Sequence, residues 1–260
     1  MTDIPKTEGL EHTFNSVCAE YDKWRPTYVD ELYRDIFDAV KINSESNVLE
    51  IGIGTGQATL PILKTGCRLT AVELGDKMAE YARGKFRSFT NFSIINTSFE
   101  NYESPANSFD LIYSATAFHW IDEKTGYTKV FDMLKNGGVF ARFANHPDVY
   151  KNGDNAEFAA IYAKYLPSSS AHEFTENDAK ETADIALKYG FTDISYKLYD
   201  RIRTFTADEY VRLLNTYSDH IAMDENAKHC FHEEIRQTIK NNGGMIKIYD
   251  TIDLQLARKQ

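Results

Sequence analysis

Cysteine is scarce: only Cys18, Cys67 and Cys230 occur in 260 residues, scattered and odd in number. Neither a disulfide framework nor a metal-ligand spacing can be built from them, so they read as reduced thiols of a cytoplasmic protein. Positive charge is also short, with 29 Lys and Arg against 39 Asp and Glu, a net charge of −10 and no basic block. A nucleic-acid binder, or a protein held on an anionic membrane, needs a basic footprint, so neither partner is expected. No apolar run approaches the ~18 residues of a membrane span, and the polar N-terminus lacks the pattern of a signal peptide. His12, His146, His172, His220, His229 and His232 are dispersed, without the carboxylates or cysteines that would complete a metal site. There is no Gly-x-Ser-x-Gly elbow, no Gly-x-x-x-x-Gly-Lys turn, no internal repeat and no low-complexity tract. What remains is an ordinary globular balance, 42% hydrophobic and 26% charged. The length suits one large α/β domain, or a domain with an inserted cap.

The organising stretch is Val48-Leu49-Glu50-Ile51-Gly52-Ile53-Gly54-Thr55-Gly56-Gln57. β-Branched and aliphatic residues crowd its first half and glycine stops them, which reads as a buried strand entering a tight turn. Glycine there lets the backbone approach a ligand that a Cβ would obstruct. Glu50 breaks the apolar pattern near the strand's carboxyl end, the end that faces the ligand crevice in an open parallel sheet. A dinucleotide site wants Gly-x-Gly-x-x-Gly, whereas Gln57 stands here where the third glycine belongs. Leu69-Thr70-Ala71-Val72-Glu73 is a second apolar run ending in an acid, and an acid at that strand end can accept both hydroxyls of a ribose. Together these marks indicate a ribose-bearing cofactor and leave its identity open.

A third mark is Phe109-Asp110-Leu111-Ile112-Tyr113-Ser114-Ala115-Thr116-Ala117-Phe118-His119-Trp120, a strand running into a polar-aromatic turn. With the first two, it resembles the class I S-adenosylmethionine-dependent methyltransferases. Thr97-Ser98-Phe99-Glu100 and the Ala-Phe-His-Trp run are similar to their small-molecule branch, which includes trans-aconitate methyltransferase-like enzymes. The resemblance runs from about Phe14 to Asn145 and is looser from Ala183 to Arg258. It implies S-adenosyl-L-methionine as cofactor, S-adenosyl-L-homocysteine as product, and a small-molecule acceptor.

Strands are expected at Val48–Ile51, Leu69–Glu73, Phe92–Ile95, Asp110–Tyr113 and Val139–Phe143, alternating with helices, which argues for a doubly wound, mostly parallel sheet. The resembled family has seven strands with the last antiparallel; Ile194–Ile202 and Ile246–Leu254 would supply the final two. Residues 1–9 should be mobile. A helix through Tyr21 should end near Trp24, because Pro26 disfavours a helical Arg25. A second, with Leu32, Ile36, Phe37 and Val40 inward, covers the sheet. Asp76 reads as the N-cap of a helix carrying Met78, Ala79 and Ala82. Thr206 with Glu209 forms a capping box opening a helix to Tyr217, and another helix spans Asn226–Lys240. Residues 1–260 form one domain, with 10–41 as an N-terminal helical lid and 146–180 as an inserted cap.

By resemblance the cofactor residues are Tyr21, Arg25, Glu50, Gly52, Gly54, Thr55, Gly56, Glu73, Leu74, Met78, Ser98, Phe99, Ser114 and Ala115. Gly56 would leave room for the methionine end and Tyr21 would lie over the cofactor. Arg25 would pair with an anionic group, either of the substrate or of the cofactor's own carboxylate. Phe14, Tyr21 and Trp24 read equally as packing of an N-terminal helix, and Phe99 equally as core. His119, Trp120 and Tyr217 are placed in the substrate pocket. His119 is also the candidate base, since a hydroxyl or ammonium acceptor needs one. A carboxylate acceptor does not, being ionised at neutral pH. O- or carboxyl-methylation is therefore favoured. Two alternatives stay open: a nicotinamide-dependent oxidoreductase, and a cofactor-binding protein without catalysis.

Overall fold

The computed structural model describes residues 17–153, 155–167 and 173–260. The expectations placed on residues 1–9 and on His12, Phe14 and His172 lie outside the described residues.

Seven strands form one sheet in the order β3-β2-β1-β4-β5-β7-β6. These are β1 Asn47–Ile51, β2 Arg68–Glu73, β3 Phe92–Asn96, β4 Phe109–Ala115, β5 Leu134–Asp148, β6 Thr192–Thr206 and β7 Met245–Arg258. β1 pairs in parallel with β2 on one side and β4 on the other, so the chain reverses its winding there. A crevice opens outside the carboxyl ends of strands at such a switch point. β7 runs antiparallel to both β5 and β6, as the sequence led one to expect. The last two strands are longer than expected. β5 stays paired only as far as Tyr249 of β7, whereas β6 continues to Met245, so a two-stranded ribbon projects past the sheet.

Alternation along each strand feeds two cores. Val48, Leu111 and Tyr113 face α2 (Asp30–Ala39), whose Leu32 and Ile36 are fully buried, and α3 (Thr59–Leu63). Leu49, Ile51 and Ile112 face α5 (Glu123–Met133), packed through Tyr127, Val130 and Met133. Burial on both faces is why these strands read as nearly continuous apolar runs. α1 (Cys18–Trp24) ends where Pro26 requires, with Arg25 already extended at ψ 136°. α4 (Asp76–Lys85) corrects one expectation: Gly75 is its N-cap, and Asp76 is the first helical residue. There its charge still complements the helix dipole.

The helices of the expected 146–180 insertion pack in two different places. α6 (Phe158–Tyr165) packs with α8 (Ala207–Leu214) and α10 (Glu225–Asn241) in a third core, which also takes Phe205, Ile246 and Ile248 from the ribbon's far end. α7 (Glu176–Asp184) instead lies against β6 and β7 as an ordinary sheet-covering helix. Most of the cap is therefore the β6–β7 connection, with short α9 (Ser218–Ile221) at its turn. Thr206 and Glu209 make the expected capping box at the start of α8. Among the described residues, no helix is long and apolar enough to cross a membrane.

Candidate active site

The glycine turn after β1 holds three left-handed residues, Gly52, Gly54 and Gly56, with φ of 71°, 57° and 84°. They serve different ends. A Cβ on Gly56 would lie 2.3 Å from the Phe86 ring, so this position accommodates a core side chain and not a ligand. A Cβ on Gly54 would meet nothing nearer than the Tyr21 ring at 4.0 Å, on the open side of the turn.

Glu73, at the carboxyl end of β2, spans this turn. One carboxylate oxygen accepts from Gly54 N–H at 2.8 Å and the other from Gly75 N–H at 2.9 Å. Each oxygen keeps a lone pair for a further donor. Burial pushes the Glu73 pKa up, and the two amides oppose that rise. Glu50 is more deeply enclosed, 1% exposed, with one oxygen accepting from Thr59 Oγ1 at 2.8 Å and Tyr113 OH at 2.7 Å. Burial pushes its pKa up to about 8 despite both hydroxyls. The acid that interrupts β1 is thus a buried group held by neutral donors.

A cavity of about 430 Å³ opens above these strand ends. Glu50, Gly52, Gly54 and Glu73 line its floor, and Tyr21 and Arg25 come from α1. Leu74, Met78, Ser98, Phe99 and Ala115 extend the wall, and Trp120 and Tyr217 also reach it. Phe99 is both things the sequence allowed, a cavity wall and a member of the second core.

Four expected site residues stand outside the lining. Gly56 is turned to Phe86, as above. Thr55 is fully buried behind the turn, where its Oγ1 accepts from Gln57 Nε2 at 2.7 Å. Ser114 Oγ donates to the Ile51 carbonyl at 3.0 Å, tying β4 to β1. His119 shares a single 3₁₀ turn with Trp120, and successive residues of so tight a turn point apart, so only Trp120 faces the cavity. The His119 ring is exposed yet crowded by protein, which lowers its pKa to about 4, with Arg142 and His146 adding nearby positive charge.

α1 joins two parts of the site. Asp22 accepts from Lys85 Nζ at 2.5 Å and Tyr81 OH at 3.1 Å, and Lys85 also donates to the Thr55 carbonyl at 2.9 Å. At the other end Arg25 donates to the Thr216 carbonyl at 2.7 Å and lies 4.1 Å from the centre of the Tyr217 ring. Trp24 packs beside the cap core.

Sequence reading missed Gln57, Tyr28, Thr116 and Asn145 as cavity residues. Gln57 had a signal, as the misfit in the glycine pattern. Asn145 ends the stretch that carries the resemblance, and its amide is fixed by Arg201, which donates to its oxygen at 2.7 Å, and by Asp250, which accepts from its nitrogen at 3.1 Å. Asp250 also holds Arg203, so two guanidiniums share one buried carboxylate behind this end of the cavity.

The methyltransferase-domain family matches residues 48–138, the span from β1 past β4 that carries the glycine turn and Glu73. The chain carries a methyltransferase domain and is an S-adenosylmethionine-dependent methyltransferase. The methyltransferase is 23% identical over 232 residues to an uncharacterized methyltransferase of Schizosaccharomyces pombe, covering 89% of this chain and 88% of that one. It is 29% identical over 205 residues to a malonyl-[acyl-carrier protein] O-methyltransferase of a Paenibacillus species, covering 73% of each. A candidate type II methyltransferase from Anaeromyxobacter dehalogenans shares the fold at a TM-score of 0.69 and 19% identity, over 90% of this chain and 97% of that one. The matched domain is that of a methyltransferase, which leaves no place for the nicotinamide alternative.

Proposed function

We propose that this methyltransferase moves the methyl group of S-adenosylmethionine to an oxygen of a small molecule, a carboxylate oxygen being favoured. The observation that carries the reading is the polar make-up of the Tyr217 end of the cavity. Arg25 lies there, and its buried Nε has no hydrogen-bond partner among the described residues. A buried donor without an acceptor is costly, and an anionic ligand would satisfy it. The candidate base His119 is outside the lining, which suits an acceptor ionised without help. A cavity of about 430 Å³ is in the range of small-molecule sites. The Paenibacillus relative is an O-methyltransferase by name, which agrees with oxygen as acceptor atom.

In this reading the cofactor supplies an activated methyl on a sulfonium, and the protein supplies orientation and water exclusion. Glu73 takes the ribose hydroxyls, Gly54 gives the backbone its close approach, and Ser98 with Phe99 flanks the adenine. Tyr21 and Trp120 offer aromatic faces to the sulfonium, worth ~0.5–2 kcal/mol. Alignment of donor and acceptor contributes the most, on the order of 7–11 kcal/mol of barrier. The three free thiols suit a reducing, cytoplasmic setting. Incubation with methyl-tritiated S-adenosylmethionine and a panel of small carboxylic acids, phenols and amines tests the reading. Label transferred to an acid and released by alkali as volatile methanol is expected of a methyl ester. Alkali-stable label on a phenol or amine alone would sink the carboxylate assignment.

A further inference from the structure

Thr116, just past β4, adopts φ of 53°. A β-branched residue in the left-handed region is a strained outlier, and such strain is kept where surrounding structure enforces it. Here three contacts do so. Thr116 N–H donates to the Phe143 carbonyl at 2.8 Å, Thr116 Oγ1 lies 2.6 Å from Tyr28 OH, and Asn145 N–H donates to Oγ1 at 3.4 Å. The Tyr28 ring is fixed in turn, edge-on to Phe143 with centroids 4.7 Å apart. Tyr28 and Thr116 both line the cavity, beside Asn145 and Ala117.

The proton count is informative. Two hydroxyls carry two protons, and one proton makes the bond between them. If Tyr28 donates, Thr116 Oγ1 accepts from Tyr28 and from Asn145, and its own proton is left over. If Thr116 donates, the Tyr28 proton is left over. In either arrangement no acceptor among the described residues takes the second proton, and both residues line the cavity. The pair therefore presents one oriented O–H donor at the carboxyl end of β4. We infer that the Tyr28–Thr116 hydroxyl pair is a positioning element for the methyl acceptor. It donates to one oxygen of the acceptor's carboxylate and leaves the other oxygen aimed at the donor methyl. The inference rests on the carboxylate reading above and adds the residues that orient the group.

Thr116→Val keeps the shape and β-branching of the side chain and removes the hydroxyl; Thr116→Ser restores it. Calorimetry on protein saturated with S-adenosylhomocysteine, with malonate as the carboxylate probe and malonamide as the neutral one, separates the possibilities. Thr116→Val should bind malonate ~10–100-fold more weakly, the range for a hydrogen bond to a charged group. Thr116→Ser should stay within about 3-fold of the parent, and Tyr28→Phe should fall between, since one hydroxyl remains but loses its orientation. S-adenosylhomocysteine affinity should be the same in all four proteins. Malonate binding unchanged in Thr116→Val, preferred binding of malonamide, or no malonate binding by a parent that takes up S-adenosylhomocysteine normally would each overturn the proposal and leave the methyltransferase standing. Failure of the parent to bind S-adenosylhomocysteine would instead strike at the functional reading beneath it. A loss of S-adenosylhomocysteine affinity in Thr116→Val would make the pair a structural tie between the segment before α2 and the turn after β4, and would also overturn it.

Discussion

The Asp22 carboxylate sits 2.5 Å from the Lys85 ammonium, and this contact fastens α1 to the helix behind the glycine turn. Both side chains are partly exposed, at 22% and 33%, so the pair alone is a modest contributor. Its value comes from company, because Tyr81 OH and Gln57 Nε2 reach the same carboxylate. If α1 closes over the cofactor, Asp22→Asn should weaken S-adenosylhomocysteine binding ~3–10-fold, equivalent to about 1 kcal/mol. Amides around 17–24 should exchange faster with deuterium in the variant and slow down when cofactor is added to the parent. Exchange there that ignores saturating cofactor would reduce α1 to packing.

Glu73 offers the sharpest test of the cofactor site. Charge-assisted bonds to two ribose hydroxyls are worth roughly 1.5–3 kcal/mol, so Glu73→Ala should weaken binding ~10–100-fold. Part of that loss will come from the turn itself, since Glu73 holds Gly54 and Gly75 in place. Glu73→Gln keeps one acceptor oxygen and should lose less. Equal affinity of Glu73→Ala and parent, measured calorimetrically on folded protein, removes Glu73 from the ribose site.

Glu50 predicts a pH dependence of stability. Its folded pKa of about 8 stands above the ordinary 4.5, so between those values the fold holds a proton that the unfolded chain has released. Stability from this group is complete below pH 4.5 and is lost as pH rises through 8. Glu50→Gln keeps an acceptor for Thr59 and Tyr113 and cannot ionise. Without cofactor it should melt close to the parent at pH 5 and above it at pH 9, by ~3–10 °C. Parallel melting curves at both pH values would show that Glu50 is not held protonated.

Gly56 and Phe86 should behave as one unit. Gly56→Ala places a methyl group against the ring and strains a φ of 84°, which predicts a loss of ~2–4 kcal/mol in denaturant unfolding. Phe86→Leu in that background should recover part of the loss, by ~0.5–2 kcal/mol, through relief of the clash. Strict additivity of the two changes would contradict the contact.

The site was legible where its chemistry is local in the chain. Strand, glycine turn and terminal acid follow one another within β1 and β2, so Glu50, Gly54 and Glu73 could be placed from order alone. Gly56 was placed correctly in the turn and given the wrong partner, because Phe86 is thirty positions away and nothing in the turn announces it. His119 was placed in the pocket together with Trp120, and the tightness of a 3₁₀ turn separated the two. Thr116 escaped notice because no residue in Ser114-Ala115-Thr116-Ala117 demands a left-handed backbone; the constraint comes from Tyr28 and Phe143. The packing of the helical cap was hidden for the same reason. Its core joins α6 to helices that follow β6, a pairing that periodicity within any one helix cannot reveal.

β1 is five residues long, whereas β6 has fifteen and β7 fourteen. Past the end of β5 the last two strands have only each other as sheet neighbours, and paired ribbons of that kind twist more strongly than the interior of a broad sheet. The helices at the ribbon's tip therefore sit at the end of a lever whose fulcrum is the sheet. A small change in ribbon twist displaces Tyr217 and the cap by more than it displaces Glu73 and the glycine turn. The Tyr217 side of the cavity is thus set by the twist of two strands, and the Glu73 side by the packed centre of the sheet.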